Sequence, residues 1–446
     1  MTGFDPDYFW QHLESLLPNE LQKLPLKLCV GFSGGLDSTV LLKTLSTLRT
    51  KHTFSLRAIH VNHQLQPDAP AWSNFCRTFC ENENIDFQNI NVDVVQTKEL
   101  GPEAAARKAR YTAIKNTIQE NEIFLTAHHL DDQIETLFLQ LLRGAGIDGA
   151  SAIKPVTQHD NYYLLRPLLA YDRCHLSNYA ESNKLSWVED PSNSEKHYNR
   201  NYLRHDVLPL IEKRWPAYRK VLQRFVEHSQ STVELLEGYS KQDFDICYSV
   251  EDFTLSIEKL NSFSIEKQSL ILRHWIKQQN FLMPGEAQLA QIHKAIVAVP
   301  DANPLVKWAG AELRRYQNKL YLLPQNHSSI DLSEVTWDLK QPRILRGIGK
   351  LISHTVVGYG IKPHLVEADI TISFRKGGEK CRPVGRQGSH SLKKLFQEYA
   401  IPPWRRRQIP LLKINDAIIA VPGYFYCEPF AALKEEEGIA INLELV

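Results

Sequence analysis

The chain has 446 residues, 43% hydrophobic and 23% charged, with a net charge of +1. That length predicts roughly two to four domains, each with its own core. The near-neutral balance confines any nucleic-acid surface to a local patch, and no apolar run reaches the roughly eighteen residues of a membrane span.

The N-terminal stretch MTGFDPDYFWQHLESLL carries acids early and lacks a basic-then-apolar signal; it reads as a first amphipathic helix. Next come alternating types. KLCVGF (27–32) reads as a strand and STVLLKTLSTLR (38–49) as a helix. FSLRAIHVNH (54–63) is a strand and APAWSNFCRTFCENEN (69–84) a helix. DFQNINVDV (86–94) is a strand and PEAAARKARYTAIKNTIQEN (102–121) a long helix. EIFLTAHH (122–129) is a strand, and LDDQIETLFLQLLRG (130–144) a helix ended by glycine. Alternation of this kind predicts a mostly parallel sheet covered on both faces, with ligands beyond the C-terminal strand ends. Residues 145–215 close this domain, with Pro209 and Pro216 framing the boundary. From 216 to 323 the pattern turns helical and ends in a short β-like piece, AELRRYQNKLYLLP. PQNHSSIDLSE (324–334) reads as a linker, and 335–446 as a small α/β domain.

Seven cysteines (Cys29, Cys76, Cys80, Cys174, Cys247, Cys381 and Cys427) are scattered without a CxxC. They fit reduced cytoplasmic thiols better than a disulfide framework or a zinc or iron–sulfur site. Cys76 and Cys80, one helical turn apart, read as a packed helix face.

The chemistry concentrates first at SGGLDS (33–38). Glycines after a strand permit a sharp turn, and the following helix points unpaired N–H groups and a positive dipole end back at it. That makes an anion site, to which Ser33, Ser38 and Thr39 add hydroxyls. Neither GxGxxG nor GxxxxGK[ST] is present. Asp37 would repel a bare phosphate but suits a Mg²⁺ bridging phosphate oxygens, so the turn reads as a Mg·ATP site. The bland alternative is a tight strand–helix turn with an N-cap serine. A second cluster, His128, His129, Asp131, Asp132 and Glu135, follows a strand and opens a helix, with Asp132 and Glu135 on one face. An ordinary acidic first turn is the simpler reading; the crowding at one strand end favours an ammonium or metal site. Arg107 and Arg110 offer cations or surface charge.

SGGLDS resembles the signature of the PP-loop ATP pyrophosphatase superfamily. AHHLDDQIETLFLQLLRGAG, EAAARKARY, LLRPLL, WVEDPSN and RNYLRHDVLP resemble stretches of the tRNA(Ile)-lysidine synthetase family. So do FRKGGEKCRPVGR, SLKKLFQEYAIPPWRRRQIPLL and AVPGYF near the end. The resemblance implies an α/β fold: a PP-loop, Rossmann-like N-terminal domain (1–215), a helical middle domain (216–323) and a small α/β C-terminal domain (335–446). It implies adenylation of the wobble cytidine by ATP, then attack by free L-lysine, so that a tRNA(Ile) with a CAU anticodon reads AUA instead of AUG. Ser33, Gly34, Gly35, Leu36, Asp37, Ser38, His60 and Asn62 would bind ATP, His63 lining the adenosine pocket with them. Asp37 would hold Mg²⁺. Asp132 and Glu135 would hold or deprotonate the lysine ammonium. Arg107, and after it Arg110, would meet a substrate carboxylate or the α-phosphate. A tRNA thiolase on the same fold, or a non-catalytic tRNA-binding protein, are the rival readings. A second copy of the chain is included among the partners, and the expected location is the cytoplasm.

Between Arg375 and Arg407 ten basic residues face two acids, a net of +8. Arg375, Lys376, Arg382, Arg386, Lys393, Lys394, Arg405, Arg406 and Arg407 form the expected tRNA surface. Gly377, Gly378, Gly385 and Gly388 would let backbone approach phosphates, and Tyr399 and Trp404 lie among the charges.

Overall fold

The computed structural model describes residues 3–64, 67–93, 102–159, 161–299, 302–325 and 331–445; the side chains of 102–104, 107, 108, 194 and 445 lie outside that description. Much of the expected linker, 326–330, also falls outside it. The chain divides into two compact units, Met1–Gly238 and Tyr239–Val446. No helix among the described residues is long and apolar enough to cross a membrane.

The first unit is built on a six-stranded sheet in the order β3-β2-β1-β4-β6-β5. Its strands are β1 (Lys27–Gly31), β2 (Ser55–Asn62), β3 (Asp86–Asn91), β4 (Glu122–Leu125), β5 (Val156–Gln158) and β6 (Tyr163–Leu165). All neighbours are parallel except β5, which runs antiparallel to β6. The chain winds outward from β1 to β3, then returns to place β4 on the other side of β1. That reversal opens a crevice beyond the C-terminal ends of β1 and β4.

Helices α1 (Pro6–Ser15), α2 (Leu36–Leu48), α3 (Ala69–Asn82), α4 (Pro102–Thr117) and α5 (Leu130–Leu142) cover the sheet. The period-2 pattern of β1 divides the core. Leu28 and Val30 join Phe9, Leu13, Leu41 and Leu45 in one layer; Cys29 joins Ile59, Ile114 and Phe124 in the other. Cys76 and Cys80 are both buried in the first layer, so their shared face is a packing face. Burial raises both thiols, Cys80 to about 12.

Past the short α6 (Ile147–Ala150) and α7 (Arg173–Ser182), a continuous helical run follows: α8 (Asn199–Tyr202), a π turn (Leu203–Val207) and α9 (Leu208–Arg214). The Leu208 N–H reaches back to Leu203 O. α10 (Tyr218–Cys247) comes next.

In the second unit, β7 (Tyr248–Ser249), β8 (Thr254–Ser256), β9 (Leu305–Trp308), β10 (Ala311–Tyr316) and β11 (Lys319–Pro324) form a sheet ordered β7-β8-β11-β10-β9. It packs with α11 (Ile257–Leu260), α12 (Ile265–Gln278) and α13 (Glu286–Val297) around Trp275, Ile271, Ile292 and Leu313. The middle region is therefore helical, as expected. The β-like piece supplies only β10 and β11; its partners are two to four residues long, too short for periodicity to reveal. C-terminal to it lies the expected small α/β part. β12 (Val335–Trp337), β15 (Ile370–Ser373), β18 (Leu411–Ile414), β19 (Ala417–Val421) and β20 (Phe425–Tyr426) make one sheet. β13 (Arg343–Leu345), β14 (Gly349–Val357) and β21 (Glu437–Leu445) make another. β16 (Lys380–Cys381) pairs with β17 (His390–Ser391), and α14 (Leu392–Glu398) follows directly.

Candidate active site and nucleic-acid surface

A cavity of about 880 Å³ sits over the β1 and β4 ends. Ser33, Gly35, Leu36, Asp37 and Ser38 line one side. The turn that holds them needs glycine at position 34: its φ is +84°, and a Cβ there would lie 3.0 Å from the Cys76 Sγ. Gly35 is the N-cap of α2 and offers no side-chain cap, so the first amides of the helix are left for a ligand. Ser33 Oγ and Ser38 Oγ lie 3.0 Å apart. Thr39 does not line the cavity; its hydroxyl donates back to Gly35 O at 3.0 Å. Asp37 Oδ1 is buried and has no hydrogen-bond partner.

Opposite Asp37 stands His129, the N-cap of α5 and almost fully buried. Its Nε2 is 3.6 Å from Asp37 Oδ2 and 3.6 Å from Asp132 Oδ2, and its Nδ1 is 3.7 Å from Asp131. Burial disfavours the imidazolium, but Asp132, Asp37 and Asp131 together lift its pKa. Burial also opposes the Asp132 carboxylate, yet His129 and the neighbouring cations hold its pKa below the usual range. Asp132 lines the cavity and accepts from the His129 N–H at 3.1 Å. Asp131 is engaged elsewhere, by Arg219 Nε at 2.9 Å and the Arg173 N–H at 2.8 Å.

Glu135 does not line the cavity. Its side chain is wholly buried and clamped by Arg204, whose Nε donates to Oε1 at 2.6 Å and Nη2 to Oε2 at 3.0 Å. Arg200 Nε adds a contact at 3.2 Å, and Arg204 also reaches Asp132 Oδ1 at 3.4 Å. Burial raises the Glu135 carboxyl pKa against the pull of the arginines. The expected direct contact between Glu135 and an ammonium is therefore corrected: this carboxylate anchors Arg204, and Asp132 alone of the pair faces the cavity.

His60 lines the cavity and sends Nδ1–H to Phe32 O at 2.9 Å, tying the β2 end to the start of the glycine turn. Burial lowers its pKa. Asn62 does not line it: Nδ2 donates to Ser73 Oγ and Oδ1 accepts from Gln64 N, a turn-forming role. Arg110 lines the cavity and donates to His63 Nε2 at 3.4 Å; burial and this cation push His63 down to about 4. The Arg107 side chain lies outside the described residues.

Two groups escaped residue-level reading although their stretches stood out. One is the Arg200/Arg204 pair. The other is the loop of Trp187, Val188, Glu189, Asp190 and Asn193, which also lines the cavity. The Val188 N–H donates to Gly34 O at 2.9 Å, locking this loop to the glycine turn.

Comparison with known proteins fits this geometry. Residues 9–211 match a model described as "PP-loop domain", 255–321 one described as "TilS substrate binding domain" and 370–443 one described as "TilS substrate C-terminal domain". A tRNA(Ile)-lysidine synthase of Coxiella burnetii is 40% identical over 99% of this chain and 97% of its own. This chain belongs to the tRNA(Ile)-lysidine synthase family. The namesake from Methylococcus capsulatus is 37% identical over 93% of this chain and 95% of its own. That from Histophilus somni is 39% identical over 92% and 98%.

The basic stretch of this family member is more sorted than its charge count suggested. Lys376 pairs with Glu334 at 2.8 Å, Arg382 with Glu428 at 2.9 Å, and Arg386 with Glu398. Arg375 Nε lies 3.9 Å from Glu379. Glu379 also takes the Lys376 and Gly377 amides, the second at 2.7 Å, so these amides are already occupied. Lys393, Lys394, Arg405 and Arg407 are exposed. Arg406 is corrected out of the surface: it is buried, donates to Ile401 O at 2.8 Å and Tyr316 OH at 3.2 Å, and stacks on Tyr316. Trp404 likewise packs edge-on to Tyr316 and Tyr321 under Arg314.

Proposed function

We infer that this protein is an ATP-dependent ligase that joins free L-lysine to carbon 2 of the wobble cytidine in tRNA(Ile), releasing AMP and pyrophosphate. The product reads AUA in place of AUG. The observation that carries this reading is a single cavity lined by the uncapped phosphate turn with Asp37 and by Asp132, the two carboxylates each 3.6 Å from the same nitrogen, Nε2, of His129.

The chemistry has two steps. Cytidine O2 attacks the α-phosphorus of ATP, and the bond to pyrophosphate breaks. The lysine ε-amine then attacks C2, the C2–O bond breaks, and AMP departs with that oxygen while the amine sheds a proton. The α2 amides supply preorganised donors for phosphate oxygens. Asp37, whose buried oxygen has no hydrogen-bond partner, would hold a Mg²⁺, and that ion would neutralise phosphate charge. Asp132, kept ionised, draws in the ammonium. Arg204, itself fixed by Glu135, orients Asp132. His60 and the apolar strand ends take the adenosine, and Arg110 stands near the phosphates.

The first domain, 1–215, does this chemistry, while 216–323 and 335–446 hold the tRNA through Lys393, Lys394, Arg405 and Arg407. The test is incubation of unmodified tRNA(Ile) with ATP, Mg²⁺ and labelled lysine. Label should enter the RNA in proportion to AMP released; absence of lysine transfer sinks the reading.

A further inference from the structure

The cavity has two kinds of apolar wall. Ile59, Ile114 and Phe124 belong to the core layer on one face of the sheet. Trp187 lines the same cavity but packs against the core layer of the opposite face. If adenosine uses the first wall and the phosphates use the turn, Trp187 is left for the second planar substrate.

The Trp187 loop is built to stay still. Next to it, the Val188 N–H holds Gly34 O at 2.9 Å. Trp187 Nε1 donates to Glu189 Oε1 at 3.4 Å. Asp190 Oδ1 caps the Ser192 N–H at 2.9 Å, and buried Asn201 donates to Ser192 O and Glu195 O, both at 2.9 Å. The indole is half-buried and the Glu189 carboxylate exposed, and both line the cavity. An immobile aromatic face one residue from the contact with the phosphate turn has the right position for a base whose oxygen must attack the α-phosphorus. Proteins that act on a single base pull it from its stack onto such a face. A carboxylate at the edge of that face accepts from the exocyclic amine of cytosine, where uracil offers only an oxygen.

We propose that Trp187 is the stacking platform for the target cytosine and that Glu189 accepts its N4 amino group. The proposal rests on the lysidine reading. Stacking on an aromatic side chain is worth about 5- to 150-fold per base.

The experiment is single-turnover pyrophosphate release at saturating tRNA(Ile), with ATP half-saturation and tRNA affinity measured alongside. Trp187→Phe, which keeps a stacking face, should stay within about threefold of wild type. Trp187→Leu, which keeps bulk against the core, should fall by about the stacking factor with ATP half-saturation unchanged. Glu189→Ala should lose about tenfold and Glu189→Gln, which keeps an acceptor oxygen, much less. A Trp187→Leu enzyme as fast as wild type overturns the platform, as does a loss confined to ATP affinity. Equal rates for both Glu189 variants overturn its part. Wild-type enzyme that adenylates nothing would instead sink the lysidine reading itself.

Discussion

Arg204→Ala is the most informative perturbation of the brace behind Asp132. It removes two hydrogen bonds from a carboxylate that is wholly buried. Breaking a buried ion pair from one side costs about 3–5 kcal/mol. Two features reduce that here: the Arg204 side chain is 22% exposed, and Arg200 remains 3.2 Å from Glu135. The expected loss is about 2–3 kcal/mol. Its pH dependence has a definite sign. Burial already raises the Glu135 carboxyl above its ordinary value, and loss of Arg204 raises it further. The folded variant then binds a proton more tightly than the unfolded chain. Its stability therefore falls as pH rises from the ordinary carboxylate range through the raised folded value. Native-state hydrogen exchange of the α5 amides, read by mass spectrometry at one pH in the ordinary carboxylate range and one well above it, should show the larger deficit at the higher pH. In the Glu135→Gln background the same arginine change should cost less than about 1 kcal/mol, because no buried charge is stranded. A deficit that is equal at both pH values, or unchanged by Glu135→Gln, would refute the brace.

Other outcomes follow from the same geometry. Asp37→Asn should slow tRNA-dependent pyrophosphate release by at least ~100-fold and leave tRNA affinity intact, since neutralising phosphate charge is worth several kcal/mol; filter binding beside a pyrophosphate assay checks both. Arg405→Ala with Arg407→Ala should lower the salt slope of tRNA binding by roughly two, one unit per phosphate contact. Arg406→Ala should leave that slope alone and instead destabilise the second unit by about 1–2 kcal/mol, through lost bonds to Ile401 and Tyr316; thermal melts separate the cases. Lysine transfer from pre-adenylated tRNA at subsaturating lysine should rise with pH between pH 6 and pH 9, tracking the neutral amine, with His129, lifted by its three aspartates, the site group that bends the slope. Asp132, held below the ordinary carboxylate range, stays ionised throughout and adds no inflection there.

Chain-local chemistry was legible from sequence, and contacts across the chain were not. SGGLDS announces its turn because glycine freedom and an adjacent helix start lie within six residues. The alternation of strands and helices likewise reveals the parallel sheet. The spacing of Asp132 and Glu135 puts both on one side of α5 but cannot tell which edge meets the cavity. That depends on Arg204, 69 positions later than Glu135. Three consecutive arginines at 405–407 look equivalent because a loop has no period to sort them; Tyr316 sorts them by drawing the middle one inward. Glu334 and Glu428 lie beyond the window in which the basic charge was counted, yet each neutralises a residue inside it.

The π turn at Leu203–Val207 carries one last consequence. Arg200 before it, Arg204 within it and Leu208 and Ile211 after it all address α5, the arginines through Glu135 and the apolar pair through Leu130, Ile134 and Phe138. One surplus residue in the helix keeps those two halves in phase. Shortening the run by that residue would yield a smoother helix and a poorer protein, because seating the apolar anchor would swing the guanidinium groups about a quarter-turn off their carboxylate. Local regularity and a working site pull against each other here, and the irregular helix is where they are reconciled.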